Sequence, residues 1–385
     1  MNKALEKWEE KLFESCIENI QYTNKIPKKD FKENGIFPII SQEEEFINGY
    51  WDKEQDLFKI KKPLVIFGDH TKNIKYVDFD FVLGADGVKI ISTIDDILPK
   101  YMYYYLQNIQ LRDLGYARHY KLLKEVVVKY PSLSEQQRIV KILDEAFENI
   151  EKAKQNALQN LNNAKELFES YLKEYFEITK NTWQKYKLSE ITTKIGSGAT
   201  PLGGKKAYID CGISLIRSMN VYDREFIYEG LAHISEIQAK QLDVVTIQEK
   251  DVLLNITGAS VARCCVVPND VIPARVNQHV SIIRPKQEII LSKFLCYLLT
   301  SNYYKNILLK DGAEGGATRQ ALTKTGLEQF EVYIPKTLEE QQKIVVQFDE
   351  LQEQTKKLEQ IYEQKIKDLD ELKQSILQKA FNGEL

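Results

Sequence analysis

Two turns of this 385-residue chain set glycine beside arginine ahead of an apolar strand-like run. One is RDLGYARHYKLLKEVVV, with Gly115, Ala117 and Arg118; the other is DGAEGGATRQALTKTGLEQFEV, with Gly315, Gly316, Ala317, Thr318 and Arg319. Backbone N–H groups next to a fixed positive charge can meet an anion such as phosphate, although the same residues also make an ordinary helix cap and turn. Covalent chemistry has no comparable signal. There is no GxGxxG, no GxxxxGK[ST] phosphate loop, no HExxH or HxH, and no DPPY-like or NPPF-like adenine methyltransferase segment. The run TPLGGKKAY at residues 200–208 lacks the spacing and final Ser or Thr of a phosphate loop. His70, His119, His233 and His279 lie apart, and the pairs Asp78/Asp80 and Asp95/Asp96 have no lysine arranged with them as a nuclease centre. Cys16, Cys211, Cys264, Cys265 and Cys296 show no CxxC spacing, which predicts reduced core thiols. We therefore expect no catalytic residues and no metal ligands in this chain.

The elements that must position such turns announce themselves by repetition. LSEQQRIVKILD at residues 133–144 returns as LEEQQKIVVQFD at 338–349, with Leu133, Glu135, Gln136, Gln137, Ile139, Val140 and Asp144 recurring 205 positions later. Each copy opens a long helix-forming stretch without Gly or Pro. A 4-3 spacing predicts an apolar seam through Ile344, Phe348, Leu351, Thr355, Leu358, Tyr362, Lys365, Leu369, Leu372 and Ile376. Its counterpart runs Ile139, Leu143, Ala146, Ile150, Ala153, Ala157, Asn160, Ala164, Leu167 and Tyr171. Alanines face larger residues between the two, so an antiparallel pair of helices is expected, each roughly 60 Å long at a rise of about 1.5 Å per residue. Phe147, Leu161, Phe168 and Tyr175 fall outside that seam and are expected to be exposed on a lone chain, as a partner-binding surface.

Before each helix stands the same order of elements. A Trp-led start, expected as an amphipathic helix at residues 2–18, precedes short β-prone runs at 35–41, 62–68, 74–84 and 87–93, a helix at 99–110 and an exit strand at 125–130. The order returns with 181–191, 212–223, 249–268, 275–285, one helix at 291–308, and 330–335. The expected fold class is α+β: two duplicated mixed α/β domains, residues 1–132 and 181–334, separated by helical segments 133–180 and 335–385 and related by a pseudo-twofold.

Composition excludes a membrane span: no apolar run approaches the length needed, and acidic residues stand where a signal peptide would be apolar. A cytoplasmic location is expected. The formal charge of −3 hides a division, because residues 182–330 hold 18 Lys and Arg against 14 Asp and Glu, while 331–385 hold 8 against 12. A local surface for an acidic partner is compatible with that balance.

The two LxEQQ(R/K)IV helices, the Trp-led starts and GSGATPLGGKKAYIDCGISLIRS at 196–218 resemble the specificity subunit of type I DNA restriction-modification systems. The likeness covers nearly the whole chain and is weakest at residues 21–50, which lack a counterpart to the GxTP-like opening at residues 198–201. It implies two target-recognition domains, each reading half of a split site in double-stranded DNA, on antiparallel helices along which two methyltransferase subunits dock and which motor-nuclease subunits then join. S-adenosylmethionine, ATP and magnesium are implied for those partners, with no cofactor on this chain. Under that resemblance the DNA-binding candidates are Lys72, Lys75, Arg118 and Lys121 in the first domain. In the second they are Lys205, Lys206, Arg217, Asn220, Arg263, Asn277, Gln278 and Arg319. A helical scaffold without DNA specificity, or a nuclease with unfamiliar residues, are the open alternatives.

Overall fold

The computed structural model describes residues 8–115, 117–201, 203–313 and 321–385. The chain forms two compact units, Met1–Leu158 with Glu363–Leu385, and Gln159–Tyr362. Both long segments are continuous helices, Leu133–Thr179 and Leu338–Phe381, and each contributes one part to either unit.

The first unit opens on strand Glu9–Leu12, antiparallel to the exit strand Val127–Tyr130, and a 3-10 turn Phe13–Cys16. The expected helix at 2–18 is thus corrected for residues 8 onward. Trp8, Leu12 and Cys16 are spaced as on a helix, but Leu12 is exposed, while Phe13 and Cys16 are fully buried on the 3-10 turn. The second unit pairs Gln184–Lys187 with Glu331–Ile334 in the same way and follows it with a turn of α-helix, Leu188–Ile191, where Leu188 is buried as Phe13 is.

Behind these pairs, among the described residues, lie two larger sheets per unit, and the second unit also has the two-stranded ribbon Val221–Tyr222 with Glu225–Phe226. The first unit has an antiparallel sheet of Ile74–Val77, Leu64–Gly68 and Val88–Ile91, in that order; the second has Cys264–Val266, Val252–Asn255, Val280–Pro285 and Thr192–Ser197. The outer sheets also match: Gly49–Trp51, Phe37–Ile40 and Phe81–Gly84 correspond to Ala232–Ile234, Ile213–Ile216 and Ala274–Val276, with the last two parallel in both. The run predicted at 74–84 is therefore two strands that belong to different sheets.

Alternation along the inner sheet fills two cores. Val65 and Phe67 face the helices with Tyr101, Met102, Ile139, Leu143, Leu377 and Phe381, whereas Leu64 and Ile66 face the outer sheet with Ile40 and Leu83. In the second unit Leu254, Cys264 and Ile283 join the helical core around Phe176, Phe294 and Phe348, and Leu253, Cys265 and Ile282 join the other. The adjacent cysteines thus serve opposite sides of one strand. All five cysteines are free, and Cys211 is exposed rather than buried.

The helix expected at 291–308 is two, Ser292–Thr300 and Asn302–Ala313. Ser301 is extended between them; its hydroxyl donates to Leu298 O at 2.7 Å and accepts from Tyr304 N at 3.4 Å.

The long helices pack on each other inside each unit, running in opposite directions. Lys154 meets Asp370 at 2.6 Å in the first, and Tyr171 and Tyr175 set their rings edge-on to Phe348 in the second. The seam departs from the 4-3 expectation. Asn160, Leu167, Leu358 and Leu372 are exposed, while Leu161 and Phe168 are buried. A strict 3.5-residue repeat slips about 20° per heptad against a helix of 3.6 residues per turn, so three heptads after Ile139 the slip is about 60°, more than half the roughly 100° between successive residues, and the next residue along is the better-buried one.

Candidate nucleic-acid interface

In the second unit the loops at one sheet edge converge on the turn Asn277–His279, between strands Ala274–Val276 and Val280–Pro285. Gly198 donates its N–H to Asn277 O at 3.1 Å, and a Cβ at that glycine would stand 1.6 Å from Val276 O. Only glycine lets the 196–201 segment lie this close. Thr200 then reaches the Gln278 side chain through its hydroxyl. Gln278 Nε2 donates to His279 Nε2 at 3.1 Å, and His279 Nδ1 donates to Thr257 Oγ1 at 2.6 Å. His279 and Thr257 line a cleft of about 660 Å³ whose other walls include Met219, Tyr222 and Arg263. The Arg263 guanidinium lies 4.3 Å from the centre of the Tyr222 ring, and Met219 and Tyr222 are both exposed. A planar cation, an exposed amide and exposed apolar side chains on one rim suit base edges and phosphate better than bond-breaking.

In the first unit Asp69, which the sequence reading passed over, ties three loops together. It donates its N–H to Gly87 O and accepts from His119 N, both at 2.7 Å, and its Oδ1 accepts from Tyr120 N at 2.8 Å. The buried His119 takes Leu114 N–H at 3.0 Å on Nε2, so its Nδ1 carries the proton and donates to Asp69 O at 3.1 Å. Arg118 and Lys121, on the fragment so held, are exposed. Lys25 and Lys89 join this basic region. Burial, then repulsion from Lys89 and Arg118, holds the Lys25 ammonium below its usual pKa. Neither lysine was singled out, since Lys25 belongs to a two-residue strand and Lys89 to an apolar run.

Several candidates serve the fold instead. Lys75, 5% exposed, points to the same side of its strand as buried Val77 and donates to Phe46 O at 3.4 Å, Asn48 Oδ1 at 3.1 Å and Glu45 O. Asn220 is fully buried and holds Arg217 N and Ile227 O. Asn277 is buried and accepts from His279 N. For these three, desolvation and internal partners replace the exposed role expected of them. Arg217 is half-buried over the Tyr208 ring and donates to Gly230 O. Lys72, at positive φ, meets Asp113 at 3.4 Å. Arg319 lies outside the described residues, as do the side chains of Lys205 and Lys206.

The expected exposure of the helix residues is also corrected. Phe168 is 4% and Leu161 8% exposed. Phe168 lies in the helical core beneath the Arg224 guanidinium, which pairs with Glu169. Tyr175 and Phe147 are half-buried, Tyr175 against Phe348 and Trp183, Phe147 against Tyr104. Among the described residues no group of three or more His, Cys, Asp or Glu could hold a metal ion, and no helix is long and apolar enough to cross a membrane.

The family model for the type I restriction modification DNA specificity domain matches residues 6–160 and again 180–368. The chain belongs to the type I restriction-modification specificity subunits. The specificity subunit EcoR124I/EcoR124II of Escherichia coli is 23% identical over 335 residues, covering 83% of this chain and 80% of that protein. EcoBI, also from E. coli, is 31% identical over 174 residues, 45% of this chain and 36% of the other. The fold is shared with a chain from a structural study of type I R-M complex assembly, at TM-score 0.71 and 18% identity over 98% of both chains. The HsdS subunit of Thermoanaerobacter tengcongensis aligns at TM-score 0.59 and 20% identity, over 98% of this chain and 97% of that one. As a specificity subunit the protein supplies DNA recognition within a type I restriction-modification complex.

Proposed function

We propose that each α/β unit reads one half of a bipartite duplex site. The long helices set the spacing between the halves, and two methyltransferase subunits and then motor-nuclease subunits join along them. The observation that carries this reading is duplication of the framework without duplication of the loops: matching sheets and helices recur, while the turn Asn277–His279 stands where the first unit has Ala85–Gly87. Two readers built on one scaffold and differing in their side chains suit two different half-sites. S-adenosylmethionine, ATP and magnesium are held by the partners.

In this reading the partner surface on the helices uses their exposed apolar residues. Among them are Leu133, Leu158 and Leu372 in the first unit, and Leu167, Ile178, Val346, Leu358 and Ile361 in the second. Exposed apolar side chains on a helix are covered at low cost by a docked subunit.

Mapping adenine methylation genome-wide in cells that hold the subunit with its methyltransferase tests the proposal. One bipartite motif with an unspecified spacer and one modified adenine per strand is expected. A continuous motif, or cleavage or methylation of DNA by the purified subunit alone, contradicts it.

A further inference from the structure

We infer that Gln278 is a base-reading residue of the second unit, that the base is adenine, and that Thr200 is its positioning residue. This rests on the reading that residues 181–334 read a half-site.

A carboxamide offers two N–H donors and two acceptor lone pairs. In Gln278 one of each is engaged: Oε1 accepts from the Thr200 hydroxyl, and Nε2 donates to His279 Nε2 at 3.1 Å. One donor and one acceptor are left on an exposed side chain. Turning the amide over does not alter this count. Its oxygen would then accept from the histidine and its NH2 donate to the threonine, again leaving one of each.

In the major groove adenine presents an acceptor, N7, beside a donor, N6–H. Guanine presents two acceptors there, cytosine a donor, and thymine an acceptor with a methyl group. A free donor together with a free acceptor matches the pair that adenine offers, whereas guanine, cytosine and thymine each offer only one kind of group there. Its orientation is prepared in advance, because His279 is held in turn by Thr257 at 2.6 Å and the turn is held by Gly198. A side chain fixed before binding loses less freedom on contact than a mobile one.

The surroundings agree. His279, hydrogen-bonded to the amide, also lines the cleft in which the Arg263 guanidinium lies over the Tyr222 ring, so a cation stands in the cleft next to that histidine. The corresponding turn of the first unit carries Ala85, Asp86 and Gly87 and so has no amide. The frameworks coincide at this turn while the hydrogen-bonding groups differ, as two unlike half-sites require.

The test uses the complex of the subunit with its methyltransferase and duplexes carrying the mapped motif, with each position of both halves substituted in turn. Gln278→Ala is expected to lower discrimination at one adenine of the half assigned to residues 181–334 by roughly 5- to 150-fold, leaving all other positions unchanged. Gln278→Glu, with acceptors only, moves the preference at that position toward cytosine. Thr200→Val relaxes the same position by less, since the reader stays but its orientation is freed. Unaltered discrimination in Gln278→Ala, or loss spread evenly over all sequences, overturns the inference. Exchange of residues 181–334 as a block separates the two levels. If the block alters one half-site and Gln278→Ala alters none, only the Gln278 assignment fails; if the block alters neither half, the two-reader account fails with it.

Discussion

Gln136 and Gln341, 205 positions apart, make the same three hydrogen bonds. Gln136 accepts from Leu98 N at 2.9 Å and donates to Asp96 O and Pro131 O; Gln341 accepts from Leu291 N at 2.9 Å and donates to Ile289 O and Pro335 O. Both are fully buried. Each fastens the base of a long helix to the start of the short helix of its own unit and to the proline after the exit strand. Asp144 and Asp349, in the same repeat, receive Tyr104 and Lys100, and Tyr297 and Lys293.

Removing one of these glutamines leaves buried backbone groups without partners. Gln341→Ala is expected to destabilise the second unit by about 2–4 kcal/mol and to raise hydrogen exchange around Leu291–Thr300, leaving Pro99–Asn108 protected. Gln136→Ala does the reverse. Uniform loss of protection in both units would show that the two pins do not act locally.

Phe168→Glu is expected to unfold the second unit, because a carboxylate would replace an aromatic ring in the helical core at a cost above about 3 kcal/mol. Thermal unfolding followed by circular dichroism checks it. Ile361→Asp, on an exposed residue, should instead keep the wild-type melting temperature and reduce co-purification of the methyltransferase. Wild-type stability of Phe168→Glu contradicts the packing described.

Burial, its largest cause, lowers the Lys75 pKa to about 8 from the usual 10.5. The folded protein therefore releases this proton before the unfolded chain does. Its unfavourable contribution is full below pH 8 and is relieved as pH rises to 10.5, by about 1–3 kcal/mol. Relative to Lys75→Met, wild-type stability should climb across that window in urea titrations. A constant or falling difference counts against it.

Much of this was legible beforehand, and the failures have physical causes. The LxEQQ(R/K)IV repeat was visible because buried glutamines that fasten backbone, and aspartates that bind tyrosine, admit few replacements. Strand runs such as LVIFG were visible because both faces of the inner sheet are covered. The opening strand was not, since Trp8, Leu12 and Cys16 imitate a helical face while backbone pairing with Val127–Tyr130 decides the matter. Lys75, Asn220 and Asn277 look like surface donors in one dimension, and only the fold reveals that their partners are internal. Asp69 escaped notice for the opposite reason: a short polar residue in a turn looks solvated, although it joins three loops. Gly198 was legible only as the start of the GxTP-like opening, and the backbone contact it admits shows in the fold alone.

Gly198→Ala should disturb recognition by the second unit alone. A methyl group 1.6 Å from Val276 O cannot be accommodated, so the 196–201 segment must leave the Asn277–His279 turn. Exchange protection there should fall, and specificity at the corresponding half-site should drop at least about tenfold, the equivalent of one lost base contact. Full specificity in this variant would mean that the turn is not a reading element.

Two independent readers on one chain can be exchanged separately, and replacing residues 181–334 with those of a relative with a different motif measures that directly. Methylated adenines are then mapped genome-wide with the same methyltransferase. The predicted result is a motif in which one half is replaced, while the other half and the spacer length are retained. Change in both halves, or in neither, contradicts it.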